Sequence, residues 1–456
     1  MNRLFQSPLG AVLARPWVDM AGLAGLKRWY LPLSRLWAAA NASDGDVDAF
    51  RGEIGAPLSG LWPDAYLSRL LRRHGAAQSA AHRTRAAWEE ASFAATTPVL
   101  AGELDSRRRT SATRHLLTRG LFYPLIFPRR PPTARWQIVA PDALDRALAD
   151  DRRDPAARYV VPVDAATVEQ SVAFQSGGVR ESWVRAPTPS PRSRRWPASR
   201  LLYARIVEPV DGSAVHGTIV LGSGLCLETD LIAGAKDAGV RLAGLGWRSV
   251  EPVSPYHGLR AEKDRYGGEP FFAEAPLSAF DLISGQAVES ALLIAWARRR
   301  FGGKVALGGI SMTSFVAQQA SSYCHVWPAE ARPDAVILIS HSGRIQDVTF
   351  GGDLTAALGL DRALLEAGWT ADRLAEVAAL IDPAAEPALP AARIVSVLGE
   401  TDRWVPYADG LDVARRWKLP EANVFRYRLG HLGMPVQLMR DAAPFQRLRQ
   451  VLASMA

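Results

Sequence analysis

Three residues with the chemistry of a covalent hydrolase follow one another along the chain in the order Ser311, Asp402 and His431. Each comes after a short apolar run that is typical of a buried strand. A serine hydroxyl attacks a carbonyl carbon when an imidazole takes its proton, and a carboxylate orients that imidazole and stabilises its charged form. The residue types and their order therefore predict a catalytic triad with Ser311 as the nucleophile, His431 as the base and Asp402 as the acid.

The surroundings of the serine resemble the start of a nucleophile elbow. Gly309-Ile310-Ser311 matches the first part of the G-x-S-x-G pattern, in which a strained turn between a strand and a helix lifts the hydroxyl above the sheet. Thr313 stands where that pattern has its last glycine. A β-branched residue crowds the contact between strand and helix, so we expect either a relaxed turn or a degraded elbow. The alternative is a serine that only caps the following helix.

The acid and the base are each chosen over competitors. Asp402 belongs to a G-x-x-D-x-x-V-P segment after an apolar run, and Glu400 is the competing carboxylate. The alternative role for Asp402 is to cap the next helix. His431 is flanked by Gly430 and Gly433, and it is the one histidine that follows Asp402, as the chain order Ser, Asp, His requires.

An ester-cleaving site of this kind also needs two backbone N–H donors for the oxyanion. We predict the N–H of Met312, the residue after the nucleophile, and that of Ser223 in the loop after an early strand. Gly222 and Gly224 flank Ser223 and are predicted to contact the substrate, because glycine lets the backbone approach it closely. The alternative is an ordinary tight turn.

The elements that must position these residues alternate between strands and helices, which favours a mostly parallel sheet with helices on both faces. Residues at the carboxyl ends of such strands form the functional site. We predict a helical N-terminal module over residues 1–160 and a catalytic domain over 161–456, with a helical cap at about 341–390. A Pro- and Arg-rich segment over 186–199 is expected to be a surface loop or linker. The predicted strands are Leu201–Val207, Thr218–Leu221, Ser249–Val253, Val305–Leu307, Ala335–Ile339, Ile394–Leu398 and Val424–Tyr427.

Composition limits the other classes of function. The formal net charge is +8, but the arginine clusters are scattered and no nucleic-acid motif accompanies them, so we expect no nucleic-acid partner. Cys226 and Cys324 have no metal or redox spacing, which favours a reducing, cytoplasmic compartment with no metal and no cofactor. The uncharged stretch 305–329 contains glycines, serines and a proline, so it is interpreted as a strand, a turn and a helix rather than a membrane span.

Several segments together resemble the α/β-hydrolase domain-containing protein 18 family. The segments lie at 221–224, 254–260, 285–296 and 309–312, and the Asp402 and Gly430-His431 regions complete the set over residues 180–455. The resemblance implies an α/β-hydrolase fold and ester hydrolysis, with lipid acyl esters as the first substrate class to test. This chain departs from the family pattern at Thr313 and Ser314, where the family has two glycines, and at Ser254, where it has asparagine.

Within the resembling segments, Tyr256 and His257 are predicted to bind substrate, because they follow a strand and either line or brace the mouth of the site. Arg260 either joins them there or has a structural role, and Glu289 is its predicted partner. The cap is rich in Ala and Leu, which suggests a small hydrophobic or acyl-ester substrate, although the same residues would also pack on the core.

Two further classes of function stay open. A catalytically silent hydrolase-fold protein that binds a lipid or protein partner is favoured by Thr313. A membrane-surface protein is suggested by the aromatic residues of the first third of the chain, with peripheral contact as its predicted mode.

Overall fold

The computed structural model describes residues 16–55, 60–94, 96–127, 129–160, 163–210, 215–225 and 237–455. Within these ranges one sheet contains ten strands. They are β1 (Glu169–Gln170), β2 (Phe174–Ser176), β3 (Val179–Pro187), β4 (Leu201–Pro209), β5 (Gly217–Gly222), β6 (Trp247–Pro252), β7 (Val305–Ile310), β8 (Ala335–Ile339), β9 (Ile394–Gly399) and β10 (Val424–Tyr427).

The helices precede the sheet in the first third of the chain and alternate with its strands afterwards. The early helices are α1 (Pro16–Gly25), α2 (Leu31–Ser43), α3 (Val47–Ile54), α4 (Asp64–Ser92), α5 (Pro98–Leu117), α6 (Pro141–Ala147) and α7 (Ala149–Arg153). The later ones are α8 (Ala238–Ala243), α9 (Glu269–Ala273), α10 (Leu277–Phe301), α11 (Met312–Tyr323), α12 (Ile345–Gly351), α13 (Asp353–Leu358), α14 (Leu360–Glu366), α15 (Ala371–Ala378), α16 (Tyr407–Arg416), α17 (Gly433–Arg440) and α18 (Ala443–Ala453).

The sheet is antiparallel at one edge and parallel over the rest. Its order is β1-β3-β4-β6-β5-β7-β8-β9-β10, and β2 also pairs with β3. β4 pairs antiparallel with β3 and β6, whereas the strands from β6 through β10 run parallel. A mostly parallel sheet flanked by helices, with a strained serine after β7 and with Asp402 and His431 in the loops after β9 and β10, is the α/β-hydrolase fold that the sequence predicted.

The order of the central strands creates a crevice. The chain leaves β5 for β6 on one side and then crosses to β7 on the other side, so β5 and β7 become neighbours although β6 separates them in sequence. Gly222, the last residue of β5, lies opposite Gly309, the residue before the end of β7. Ligands of parallel sheets bind at the carboxyl ends of the strands beside such a reversal of order. This is where the loops with Ser223 and Ser311 begin.

The N-terminal helices share a core with the sheet. Leu36, Phe50 and Phe122 are fully buried and belong to the same apolar cluster as Val220 of β5 and Leu307 of β7. The described part of residues 1–160 is helical, and its apolar faces pack against the sheet-bearing half of the chain. The boundary at residue 160 stays a prediction.

The most apolar helix is also the most enclosed. Among the described helices, α10 alone is long and apolar enough to cross a membrane, and 94% of its most apolar window is buried inside the protein. It packs on α11, which follows the elbow. The uncharged stretch 305–329 forms β7, a turn and α11, so its interpretation as strand, turn and helix is confirmed.

The Pro- and Arg-rich segment 186–199 is largely a loop, as the sequence suggested, but part of it packs on the fold instead of forming a linker. Its first residues complete β3, and Thr188, Ser193 and Ser199 are buried. Arg192 pairs at 2.8 Å with Asp281 of α10. Neutralisation by a buried carboxylate is the reason why a charged segment packs here.

The segment predicted as a cap contains four short helices, α12–α15. Asp353, at the start of α13, pairs at 3.2 Å with Arg403, and its N–H donates to the Arg403 carbonyl at 2.9 Å. These contacts tie the cap segment to the loop of the predicted catalytic acid. The predicted helical character of residues 341–390 is confirmed, and the role of this segment as a cap stays a prediction.

Candidate active site

Ser311 occupies a strained turn between β7 and α11. Its backbone has φ 56° and ψ −116°, a conformation that costs a non-glycine residue about 1–3 kcal/mol and persists only where neighbours enforce it. The N–H of Ser311 donates to the carbonyl of Ile339, at the end of β8, at 2.9 Å. The half-buried serine therefore stands at the carboxyl edge of the sheet, with the geometry of a nucleophile elbow.

Thr313 fits into this elbow because glycine lies opposite it. A Cβ on Gly222 would lie 2.7 Å from the Thr313 Cβ, and a Cβ on Gly309 would lie 2.1 Å from the Thr313 carbonyl oxygen. The Thr313 hydroxyl accepts the N–H of Ile310 at 2.9 Å and lies 3.2 Å from the Ile310 carbonyl, to which it donates. The crowding expected from Thr313 is thus taken up by Gly222, and the hydroxyl ties the turn together.

Asp402 and His431 meet through a direct hydrogen bond. His431 Nδ1 lies 2.7 Å from Asp402 Oδ2. The other carboxylate oxygen accepts the N–H groups of Trp404 and Val405, each at 3.0 Å, so the carboxylate is fixed in place. The competing carboxylate, Glu400, instead lies 3.7 Å from the exposed Arg428. Among the two carboxylates weighed from the sequence, Asp402 is the one that orients the imidazole.

The loops that carry this pair are hydrogen-bonded to each other. β9 and β10 end side by side, with Gly399 opposite Tyr427. The N–H of Glu400 then donates to the Tyr427 carbonyl at 2.8 Å, and the N–H of Thr401 donates to the Leu429 carbonyl at 3.1 Å. Two adjacent parallel strands therefore bring Asp402 and His431 to one place, although 29 positions separate them in sequence.

The imidazole of His431 is enclosed and surrounded by negative charge. Its ring stacks on Trp404, with centroids 5.2 Å apart and planes 18° apart, and its side chain is 12% exposed. Burial lowers the pKa of His431, but the charge and hydrogen bond of Asp402, and the charge of Asp19, raise it by more. The net result is a pKa above the usual value of 6.5. The site is thus built to stabilise an imidazolium.

Asp19, which the sequence reasoning did not single out, holds the backbone of the histidine loop. Its carboxylate accepts the N–H of Leu432 at 2.8 Å and also the N–H of His431. Asp19 is buried on α1 and comes from the opposite end of the chain. No sequence motif marks it. The sequence also did not predict that the imidazole of His431 stacks on Trp404.

Ser311 and His431 follow β7 and β10 at the carboxyl edge of the same sheet. Within the described residues, no hydrogen bond joins the Ser311 hydroxyl to His431. Catalytic hydrogen bonds are often long before substrate binds and tighten in the substrate complex. The geometry therefore contains the acid–base pair and the strained serine.

The two predicted oxyanion donors, Met312 and Ser223, follow the ends of neighbouring strands. Met312 is the first residue of α11, where a backbone N–H has no partner within the helix. Ser223 follows β5, the strand beside β7, so both N–H groups belong to the same edge. Gly222 lies at the end of β5, and Gly224 follows Ser223 in the described chain. Cys226 lies outside the described residues.

Tyr256 and His257 are buried rather than open to solvent. The Tyr256 hydroxyl donates to the Ser278 carbonyl at 3.3 Å, and its ring packs edge-on against Trp196. His257 donates from Nδ1 to the Pro255 carbonyl at 2.8 Å, and burial lowers its pKa to about 4. These contacts brace the loop after β6, and the substrate-binding roles of both residues stay predictions.

Arg260 and Glu289 form a fully buried ion pair. Two nitrogens of Arg260 lie 2.7 and 2.8 Å from the Glu289 carboxylate, and both side chains are 0% exposed. Arg260 also donates to the carbonyls of Val253 at 2.9 Å and Ser199 at 3.0 Å. The predicted pairing with Glu289 is confirmed. It anchors the loop after β6 to α10, which is a structural role.

Comparison with known proteins gives structural matches. No protein-family model matches the chain, and no curated protein matches it. The solved structures similar to it include acetyl xylan esterase from Paenibacillus sp. R4, with 12% identity over 68% of this chain and 94% of that chain, at a TM-score of 0.44. Brefeldin A esterase, a bacterial homologue of human hormone sensitive lipase, has 16% identity over 70% and 88%, at 0.41. A cold-adapted esterase from an Arctic intertidal metagenomic library has 15% identity over 61% and 97%, at 0.38.

Proposed function

We propose that this protein is a serine hydrolase of carboxylic esters, with Ser311, Asp402 and His431 as its catalytic triad. The observation that carries the proposal is the hydrogen bond between His431 and Asp402 at the same sheet edge as a serine held at φ 56°. An imidazole oriented by a buried carboxylate is a general base, and a strained serine at the start of a helix is a nucleophile.

The reaction follows from the positions of these groups. His431 takes the Ser311 proton through Nε2 as Oγ attacks the carbonyl carbon of the ester. The negative charge then develops on the carbonyl oxygen, where the N–H groups of Ser223 and Met312 stabilise it. His431 returns the proton to the departing alcohol and leaves an acyl group on Ser311. Water, deprotonated by the same imidazole, releases the acid and regenerates the serine.

The apolar composition of the cap segment favours an apolar acyl group. The cap helices contribute Val348, Phe350 and Leu354, and the loop after β5 contributes Leu225; these partly buried hydrophobic residues pack against the hydrophobic core. Apolar side chains around a few convergent polar groups are typical of a pocket for a small hydrophobic ligand. A lipid or other acyl ester is therefore the proposed substrate class.

Hydrolysis of a series of p-nitrophenyl esters tests this function. Wild-type protein should release p-nitrophenol, with a preference for apolar acyl chains, and Ser311→Ala should abolish the reaction. Ser321→Ala is the matched control, because that hydroxyl lies on α11 but bonds only within its own helix, at 2.9 Å from the Ala317 carbonyl. Folded wild-type protein without activity on any ester would instead favour the catalytically silent, ligand-binding alternative.

Peripheral contact with a membrane is a second proposal, and it rests on exposed residues near the N-terminus. Trp17, Met20 and Trp29 are 51%, 69% and 44% exposed. Lys27 and Arg28 are also exposed and would attract anionic headgroups. Liposomes with anionic lipid should retain the protein at physiological salt, and Trp17→Ala with Trp29→Ala should reduce retention.

A cytoplasmic location is proposed alongside, from the low cysteine content.

A further inference from the structure

The loop that carries the catalytic histidine is held by a carboxylate from the opposite end of the chain. Asp19 lies on α1, and its Oδ1 accepts the N–H of Leu432 at 2.8 Å while its Oδ2 accepts the N–H of His431. Two N–H donors directed at the two oxygens of one carboxylate form a charge-assisted clamp, which is stronger than a neutral hydrogen bond. Both residues of the clamped pair belong to the tip of the loop after β10.

The contact between α1 and this loop depends on two glycines. A Cβ on Gly430 would lie 1.9 Å from Asp19 Oδ2, and a Cβ on Gly22 would lie 2.2 Å from Leu432 Cδ1. A methyl group at either position would displace the Asp19 carboxylate or the Leu432 side chain. By contrast, a Cβ on Gly25 of the same helix would have its nearest contact 3.9 Å away, at Trp29. The close approach is thus local to the face of α1 that carries Asp19.

We propose that Asp19 is a positioning residue for His431, so that helix α1 is a functional part of the active site rather than an appended module. The proposal rests on the proposed function, because it assigns Asp19 to the base of that reaction. A loop that is free at its tip would let the imidazole rotate away from Ser311, and small misplacements of catalytic groups are costly to the rate.

Charge adds a second effect of the same residue. The titratable groups that face His431 are Asp402, from the loop after β9, and Asp19, from α1. Both raise its pKa, against the lowering effect of burial. Removing the Asp19 charge should therefore lower the pKa of His431, whereas the loss of an uncharged packing contact would leave that value unchanged. This difference separates a positioning residue from a packing contact.

The test compares Asp19→Asn with Asp48→Asn. The asparagine side chain is similar in shape to aspartate but lacks the charge and one acceptor oxygen. Asp48 is 95% exposed on α3, so Asp48→Asn is a control that removes the same charge at a position without these contacts. Two readouts do not need activity: the pKa of the His431 imidazole by NMR titration, and the exchange rate of the Leu432 amide proton. We expect Asp19→Asn to lower the pKa and to speed this exchange about tenfold or more. Asp48→Asn should change neither.

Kinetics complete the test. On a soluble p-nitrophenyl ester, Asp19→Asn should reduce kcat about tenfold or more with little change in KM, and should move the acidic limb of the pH–rate profile to lower pH. An unchanged imidazole pKa together with an unchanged Leu432 exchange rate would overturn the proposal. A wild-type protein without esterase activity would overturn the proposed function instead, and the two NMR readouts would still decide whether Asp19 holds the loop.

Discussion

Thr313 fills the space that Gly222 leaves open on the neighbouring strand, where a Cβ would lie 2.7 Å from the Thr313 Cβ. The two positions are 91 residues apart in sequence but lie side by side because β5 and β7 are neighbours in the sheet. A glycine at the last position of an elbow normally provides this space. Here the space comes from the opposite strand, so the threonine is compatible with a strained serine.

Gly222→Ala should therefore damage the elbow. The added methyl group collides with Thr313, and overpacking of this kind costs about 1–3 kcal/mol of unfolding free energy. Thr313→Gly in the same chain removes the colliding side chain, so the double variant should lose less stability than the sum of the two single losses. Urea denaturation of the single and double variants measures the coupling. Additive losses in the double variant would refute the compensation.

Thr313→Val should weaken the turn while keeping its shape. Valine cannot accept the N–H of Ile310, and an unpaired buried donor costs about 1–3 kcal/mol. Thr167→Val is the matched control, because Thr167 is exposed, and its cost should be below about 0.5 kcal/mol. Equal stability of both variants would show that the hydroxyl does not support the elbow.

The pH dependence of the reaction follows from the pKa of His431. Burial lowers that pKa, but Asp402 and Asp19 raise it by more, to a value above 6.5. The base must be neutral, so kcat/KM should rise with pH through a midpoint above 6.5. Protonated His431 also stabilises the folded protein, and this effect has the opposite dependence on pH. It is complete below the pKa that the histidine has in the unfolded chain, and it is lost as the pH rises through the pKa that it has in the folded protein. A rate midpoint below 6.5 would contradict this electrostatic picture.

Breaking the buried pair behind the site should destabilise the protein strongly. Glu289→Gln leaves Arg260 charged and uncompensated where both side chains are 0% exposed. Removing one partner of a buried ion pair costs about 3–5 kcal/mol. Replacing both partners, as in Arg260→Met with Glu289→Leu, should cost less than the single change. Chemical denaturation measures the free energy of unfolding of the single and the double variant. If the single variant is as stable as the double variant or more stable, Arg260 and Glu289 do not form a structural pair.

Local patterns predicted much of the fold, because apolar runs bounded by glycine and proline mark buried parallel strands. All seven strands predicted from the sequence, from β4 to β10, are present within a few residues of their bounds. β3 was missed because its charged residues hide its pattern: Glu181 is buried and is neutralised by Arg205 at 2.8 Å.

The site was predictable where chemistry leaves a local signature and unpredictable where it depends on distant contacts. Ser311, Asp402 and His431 each stand next to glycines or in a recognisable turn after a strand. Asp19 has no such context, because its role arises only when α1 packs on a loop more than 400 residues away. The fit between Gly222 and Thr313 likewise arises only because β5 and β7 are neighbours in the sheet.

Covalent labelling of the purified protein by a fluorophosphonate, followed by peptide mass mapping, tests whether Ser311 is the nucleophile. Such a probe reacts with a serine only when a base activates it. We predict one adduct, located on Ser311, that disappears in Ser311→Ala and becomes strongly reduced in His431→Ala. A folded wild-type protein that stays unlabelled, or an adduct located on a different serine, would contradict the assignment of Ser311 as the nucleophile.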